Sequence, residues 1–158
     1  MHKRLATAIV LSGLAISTAV AQDRLGVRPG MSLAAVEAVL KPRCETYTVS
    51  GDTDRAVTCR FDAKESGPVV DATVSAKDRT YYVAWRESAD GEALDYAARI
   101  AAELGFGGAG KPCRFYDYEM LCWTGSDGTV LYSAERDPRG RFISYLVNET
   151  IEQEDSAE

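Results

Sequence analysis

The apolar positions of this chain recur with two different periods. Leu33, Val36, Val39 and Leu40 fall at helical spacing behind Ser32, so the pattern predicts a short helix capped by Ser32 and stopped by Pro42. Leu94, Ala97, Ala98, Ala101 and Leu104 form a second helical stripe, with Asp90 as predicted cap and Gly105 as terminator. Between and after these stripes, short β-rich runs are separated by turn-forming residues. They predict strands at 44–49, 56–61, 69–75 and 80–86, then at 113–116, 120–123, 129–134 and 141–147. The predicted turn centres are Ser50-Gly51-Asp52, Ala76-Lys77-Asp78-Arg79, Tyr116-Asp117-Tyr118 and Arg136-Asp137-Pro138-Arg139-Gly140.

The order helix, then four strands, thus occurs twice, in halves 26–87 and 88–148. Ser75-Ala76-Lys77-Asp78-Arg79 in the first half aligns with Ser133-Ala134-Glu135-Arg136-Asp137 in the second. The expected fold is α+β: one domain over 22–148, built from two tandem helix-plus-antiparallel-sheet units, with the helices covering one sheet face. Alternation places Tyr81, Val83 and Trp85 on one face and Thr80, Tyr82, Ala84 and Arg86 on the other. Likewise Ile143, Tyr145 and Val147 oppose Phe142, Ser144, Leu146 and Asn148. One sheet face is left open, with tyrosines and polar groups on it.

The beginning of the chain changes this picture. His2, Lys3 and Arg4 precede an apolar and small-residue run from Leu5 to Val20, and Ala19-Val20-Ala21 precedes Gln22. This is the pattern of a signal peptide over 1–21. The run is interrupted by Ser12, Gly13, Ser17 and Thr18 and falls short of the roughly 20 low-polarity residues a membrane span needs. The expected product is periplasmic or secreted, with no stable membrane insertion after cleavage. The net charge of the whole chain is −6, and cleavage would remove Lys3 and Arg4 as well. Such a surface repels nucleic acid and anionic lipid. Glu149, Glu152, Glu154, Asp155 and Glu158 make the segment 149–158 an acidic tail, expected to be solvated and frayed.

Four cysteines, Cys44, Cys59, Cys113 and Cys122, permit three pairings. Each sequence-adjacent pair flanks a turn centre, so local geometry favours Cys44–Cys59 and Cys113–Cys122, each hairpin bringing its two cysteines opposite each other. The spacing does not suit a zinc site, and His2 is the only histidine, leaving with the leader. Without imidazole or free thiol, Ser-His-Asp and Cys-His chemistry is excluded, and no cofactor or metal is expected. Gly105-Phe106-Gly107-Gly108-Ala109-Gly110-Lys111-Pro112 approaches a phosphate-binding loop, but Pro112 stands where Ser or Thr is needed. It reads as a helix-to-strand connector. Asn148-Glu149-Thr150 is a formal glycosylation sequon, read as coincidence.

The segment Val27-Arg28-Pro29-Gly30-Met31-Ser32-Leu33-Ala34-Ala35-Val36-Glu37, with Cys44 and Cys59 downstream, resembles the Gly-Met-Ser/Thr turn and Val-bearing helix of SmpA/BamE-like assembly lipoproteins. It is also similar to the secreted beta-lactamase inhibitory proteins, which carry two helix-plus-sheet repeats with a disulfide in each. The resemblance covers residues 26–61. It implies that Met31 packs inward, that Ser32 caps the helix, and that the open sheet face and its loops bind another protein. There is no lipobox cysteine, and the second half opens with Ser88-Ala89-Asp90-Gly91-Glu92 rather than a second Gly-Met-Ser/Thr.

The expected function is therefore that of a non-catalytic, exported protein-binding module of inhibitor or assembly-factor type, not an enzyme. Its candidate contact residues are Asp62, Lys64, Tyr82, Arg86, Tyr116 and Tyr118. Phe115 and Trp123 are expected to pack. Two other readings are a carboxylate-dependent envelope hydrolase or glycan-binding protein, drawing on Asp62, Glu87, Asp117 and Glu119, and a carrier of a small apolar ligand.

Overall fold

A computed structural model describes residues 26–157, so the expected signal peptide lies outside the described residues. The described chain runs α1 (Leu33–Leu40), a 3-10 turn (Lys41–Arg43), β1 (Thr46–Ser50), β2 (Arg55–Arg60), β3 (Val69–Val74), β4 (Thr80–Glu87), α2 (Ala93–Glu103), β5 (Lys111–Phe115), β6 (Tyr118–Thr124), β7 (Val130–Arg136), β8 (Phe142–Val147) and α3 (Glu149–Ser156). All eight strands join one antiparallel sheet in the order β1-β2-β3-β4-β8-β7-β6-β5. The fold is α+β, and each half of the chain contributes four consecutive strands to one side of the β4–β8 seam.

Ser32 caps α1 by accepting from the Ala35 amide (3.2 Å), and Pro42 falls in the 3-10 turn that ends it. Met31 packs against the main core, as do Leu33 and Val39. The second helix differs from its expected form. Its N-cap residue is Glu92, not Asp90, and Leu94 is 65% exposed. The buried stripe is instead Tyr96, Ala97, Ile100 and Ala101, which turns a bulky aromatic into the sheet. Tyr96 stacks on Phe142 (4.2 Å), donates its hydroxyl to Glu87 (2.7 Å) and accepts from the Trp85 indole (3.2 Å). A ring able to bury its area and satisfy its hydroxyl outweighs a leucine at the helix start. The glycine-rich connector after α2 wraps Trp123: a Cβ at Gly110 would sit 2.5 Å from the ring, and the Gly108 carbonyl accepts from the indole nitrogen (3.1 Å).

Two β-bulges correct the expected faces. Thr73 pairs with Tyr82 but Val74 pairs with Thr80, so Tyr81 is an extra residue in β4. Thr80 therefore turns to the helix side, fully buried, with its hydroxyl donating to the Met31 carbonyl (2.8 Å). In β7 the extra residue is Ala134. The turn equivalence also shifts. Ser75–Arg79 closes with the Ser75 amide on the Arg79 carbonyl and the Asp78 amide on the Ser75 carbonyl. That frame recurs at Asp137–Arg141, not at Ser133–Asp137.

Both expected disulfides are present, Cys44–Cys59 and Cys113–Cys122. Neither pair is directly opposite in the ladder: Cys59 faces Tyr47, Cys113 faces Met120 and Cys122 faces Lys111. The first bridge lies in the helix-side core; the second is on the opposite face, where Cys113 packs beside Met120.

The acidic tail is helical rather than frayed. Asn148 caps α3 by accepting from the Ile151 amide (3.1 Å), while its buried amide group donates to Asp127 and Thr129. At the other end Arg79 bonds Glu154 and Asp155, Ser75 donates to Asp155 (2.5 Å), and Lys77 donates to the Glu154 carbonyl (2.5 Å). Cations at the carbonyl end of a helix interact favourably with the negative end of its dipole, which gives the tail its partner. The Arg79 guanidinium holds the Asp155 carboxyl below its ordinary range.

At the other end of the sheet, Arg141 and Asp137 form an ion pair with side chains only 6% and 8% exposed. Arg141 also donates to the Gly67 carbonyl (3.0 Å), tying the β7–β8 turn to the β2–β3 loop. Burial opposes ionisation of Asp137, but the Arg141 amide and guanidinium outweigh it and hold the carboxyl low. Its contribution is complete above the unfolded carboxylate value of about 3.9 and is lost as pH falls through the lower folded value. Asp137→Ala, which strands a buried guanidinium, is expected to lower stability by about 3 kcal/mol in urea unfolding at pH 7. Asp137→Asn should flatten the decline in stability expected of the native chain as pH falls below about 4. Replacing both cysteines of a pair by serine is expected to lower stability by about 3 kcal/mol for Cys44–Cys59 and about 2.5 kcal/mol for Cys113–Cys122, following loop lengths. Urea unfolding of the two double variants checks this.

Candidate functional site

Alternation along the strands gives the sheet two unlike faces. The helix-side face carries Val57, Cys59, Val70, Ala72, Val83, Trp85, Trp123, Leu131, Phe142 and Leu146 in one continuous core with α1 and α2. The other face is bordered only at its edge by α3, and its character changes between β3 and β4. Strands β1 to β3 present Thr48, Thr58, Asp71 and Thr73 there. Strands β4 to β8 present Tyr82, Ala84, Ile143, Tyr145, Val147, Tyr132, Met120 and Phe115, which pack as a second apolar cluster.

Phe115 organises this cluster. Its ring stacks on Tyr132 (4.3 Å) and lies 4.8 Å from Tyr145, which in turn lies 5.9 Å from Tyr82. The β5–β6 hairpin therefore curls over the open face. The two residues between Phe115 and Tyr118, paired across the ladder, make a tight turn. The first of them, Tyr116, has φ +51° and is 73% exposed, with its ring edge-on to Phe115 (4.6 Å). Tyr116 reaches as far as Tyr82 and Thr73, and with Val147 they line a cleft of about 380 Å³. Glu149 and Glu152 of α3 close its outer side.

Beside the aromatic cluster sits a charged relay. Arg86 on β4 pairs with Asp71 on β3 (2.5 Å), and Thr58 on β2 donates to the same carboxylate (2.7 Å). Burial works against the Arg86 charge, but Asp71 overcomes it and raises the guanidinium pKa. Arg86 thus presents a half-buried, pre-oriented cation at the border between hydroxyl-rich and aromatic halves.

Of the residues singled out from sequence, Tyr82 and Arg86 lie on the open face, and Tyr116 and Tyr118 lie at the hairpin that folds over it. Tyr118 is 40% exposed. Asp62 and Lys64 lie elsewhere, in the β2–β3 loop, where the Asp62 carboxylate accepts from the Lys64 amide (2.9 Å). That loop joins the sheet at the Arg86 end of β4, away from Tyr82. The face also recruits Phe115, Tyr132, Tyr145 and Met120. Alternation in β8 already set Tyr145 apart from Phe142; nothing local to Phe115 announces that its hairpin curls.

The carboxylates considered for hydrolysis are dispersed. Glu87 is engaged by Tyr96, Asp62 by its own loop, and Asp117 and Glu119 belong to the β5–β6 hairpin. Among the described residues no group of three or more His, Cys, Asp or Glu is arranged to hold a metal, and no helix is long and apolar enough to cross a membrane.

Burial raises the phenol pKa of Tyr82, Tyr132 and Tyr145 above the usual value. Tyr81, half-buried and donating to Asp54 (3.0 Å), is pushed up to about 12. Above about pH 10 the unfolded chain loses phenolic protons that the folded chain keeps. Stability is therefore expected to fall as pH rises from about 10, with part of the phenolate absorbance appearing only on unfolding. Urea unfolding between pH 9 and 11 checks this; a flat profile would mean that these hydroxyls are fully solvated.

Comparison of the chain with protein-family models, with curated proteins and with solved structures finds no match.

Proposed function

We propose that this protein is a non-catalytic binding module, exported to an oxidising compartment such as the periplasm, that acts by occupying the surface of another protein. The observation that carries the reading is Tyr116. A bulky side chain is held 73% exposed in the left-handed region at φ +51°. That region costs an L-residue about 1–2 kcal/mol relative to ordinary backbone. A glycine or asparagine would fill the turn without that cost, so the tyrosine is kept for what its ring touches. Tyrosine at a strained, solvent-facing tip, backed by packed aromatics, has the character of an interface anchor.

On this reading the working surface is the open sheet face with its overhanging hairpin: Tyr82, Arg86, Tyr116 and Tyr118, with Tyr145 and Phe115 behind them. Asp62 and Lys64 would extend it at the rim. Inhibition or assembly would follow from steric occupation, with Arg86 giving register through a charge already fixed by Asp71. The strand order, symmetric about the β4–β8 seam, also supports two repeats of one helix-plus-four-strand unit, whose open faces differ.

Affinity capture from an envelope extract with the oxidised chain is expected to retrieve a reproducible protein partner. Tyr116→Ala and Tyr118→Ala should each weaken its binding about tenfold or more. Leu94→Ala, on the far side of the sheet, should not. Unchanged affinity in both tyrosine variants would remove this surface assignment.

A further inference from the structure

We propose that the cleft between Tyr82, Tyr116 and the first turn of α3 is a receptor for an organic cation, specifically a lysine or arginine side chain presented by the protein partner. This rests on the binding-module reading and names the chemistry the partner must bring. Three observations carry it. The cleft, about 380 Å³, is lined by four aromatic residues, Tyr81, Tyr82, Phe115 and Tyr116, and by Val147. Its polar lining adds the hydroxyls of Thr73 and Tyr81 to two carboxylates, Glu149 and Glu152, which are its only charged groups among the described residues. Neither carboxylate takes part in an ion pair among the described residues, and no lysine or arginine lines the cleft.

Acidic residues in a first helical turn suit the helix dipole, which accounts for their presence on α3. It does not account for their facing a cluster of aromatic rings. Ring faces carry negative quadrupole potential, so placing carboxylates beside them raises an unfavourable field that a cation relieves. The neighbouring acids of α3 have found such relief already: Glu154 and Asp155 bind Arg79. Glu149 and Glu152 have not. Aromatic faces, two carboxylates and an apolar lining match a long aliphatic stem with a charged head, the form of lysine and arginine. The net charge of −6 favours approach of a basic partner over long range.

The test uses the oxidised, 15N-labelled full chain titrated with Nα-acetyl-arginine amide, Nα-acetyl-lysine amide, tetramethylammonium and the neutral Nα-acetyl-norleucine amide. At least one of the two basic probes is expected to shift the amides around Tyr116 and Glu152 saturably, more tightly than norleucine amide, and less so as salt is raised. The exposed double substitution Glu149→Gln/Glu152→Gln should weaken that binding about tenfold, while Glu119→Gln leaves it unchanged. Basic probes no better than norleucine amide, or equal affinity in the double variant, would overturn the inference. Tetramethylammonium binding more tightly than both basic probes would also overturn it, assigning the cleft to a small quaternary ammonium ligand. A captured partner sensitive to Tyr118→Ala but indifferent to Glu149→Gln/Glu152→Gln would refute this inference and leave the binding module standing. Saturable binding of the basic probes with no partner retrieved would refute the module and leave the cation site.

Discussion

The β4–β8 pairing, Tyr82 with Val147 through Glu87 with Phe142, is the contact on which the rest of the molecule depends. It joins strands far apart in sequence and turns two four-stranded sheets into one. Its register also decides chemistry. A one-residue slip would exchange Trp85 and Val83 with Arg86, Ala84 and Tyr82, burying charge and exposing core. The seam is clamped at both ends by polar contacts. Arg141 and Asp137 tie the last hairpin to the first-half loop, and Arg79 with Asp155 draws the terminal helix onto the β3–β4 turn.

Once the seam is set, the two faces follow different rules. The helix side is a single hydrophobic core in which Tyr96 stacks on Phe142 and Tyr96 and Trp85 satisfy their polar atoms by hydrogen bonds. The open side divides between β3 and β4 into a hydroxyl-bearing part and an aromatic part that spans the seam. Arg86 stands on the boundary, oriented by Asp71. The second disulfide belongs to this open side and ties β5 to β6, the hairpin that carries Phe115 and Tyr116 across the sheet. A covalent tie there steadies a tip whose backbone conformation is intrinsically unfavourable.

Much of this was legible from residues near one another in the chain. Ser32 with the Val36 and Leu40 stripe marked the first helix, and the turn residues between strands marked the hairpins. Flanking turn centres marked both cysteine pairs. Tyr82 and Arg86 fell on the uncovered face by alternation alone. What escaped depended on partners distant in sequence. Leu94 looked like a core residue until Tyr96 met Phe142 and Glu87. Thr80 changed sides because Tyr81 bulges, and the acidic tail looked free because Arg79, its counterion, lies some seventy-five residues earlier.

The amino-acid order by itself determined the first two helices, the strands, the turns, the disulfide framework and the alternation that makes two faces. Each of these is governed by backbone preference and by side-chain periods that act over a few residues. The tertiary structure alone decided that the halves form one sheet, that the β5–β6 hairpin folds over it, and that Tyr116 and Tyr82 line one cleft with Glu149 and Glu152. Those outcomes depend on strand register, sheet twist and long-range charge pairing, which are energies of contact between segments and have no signature in any one of them.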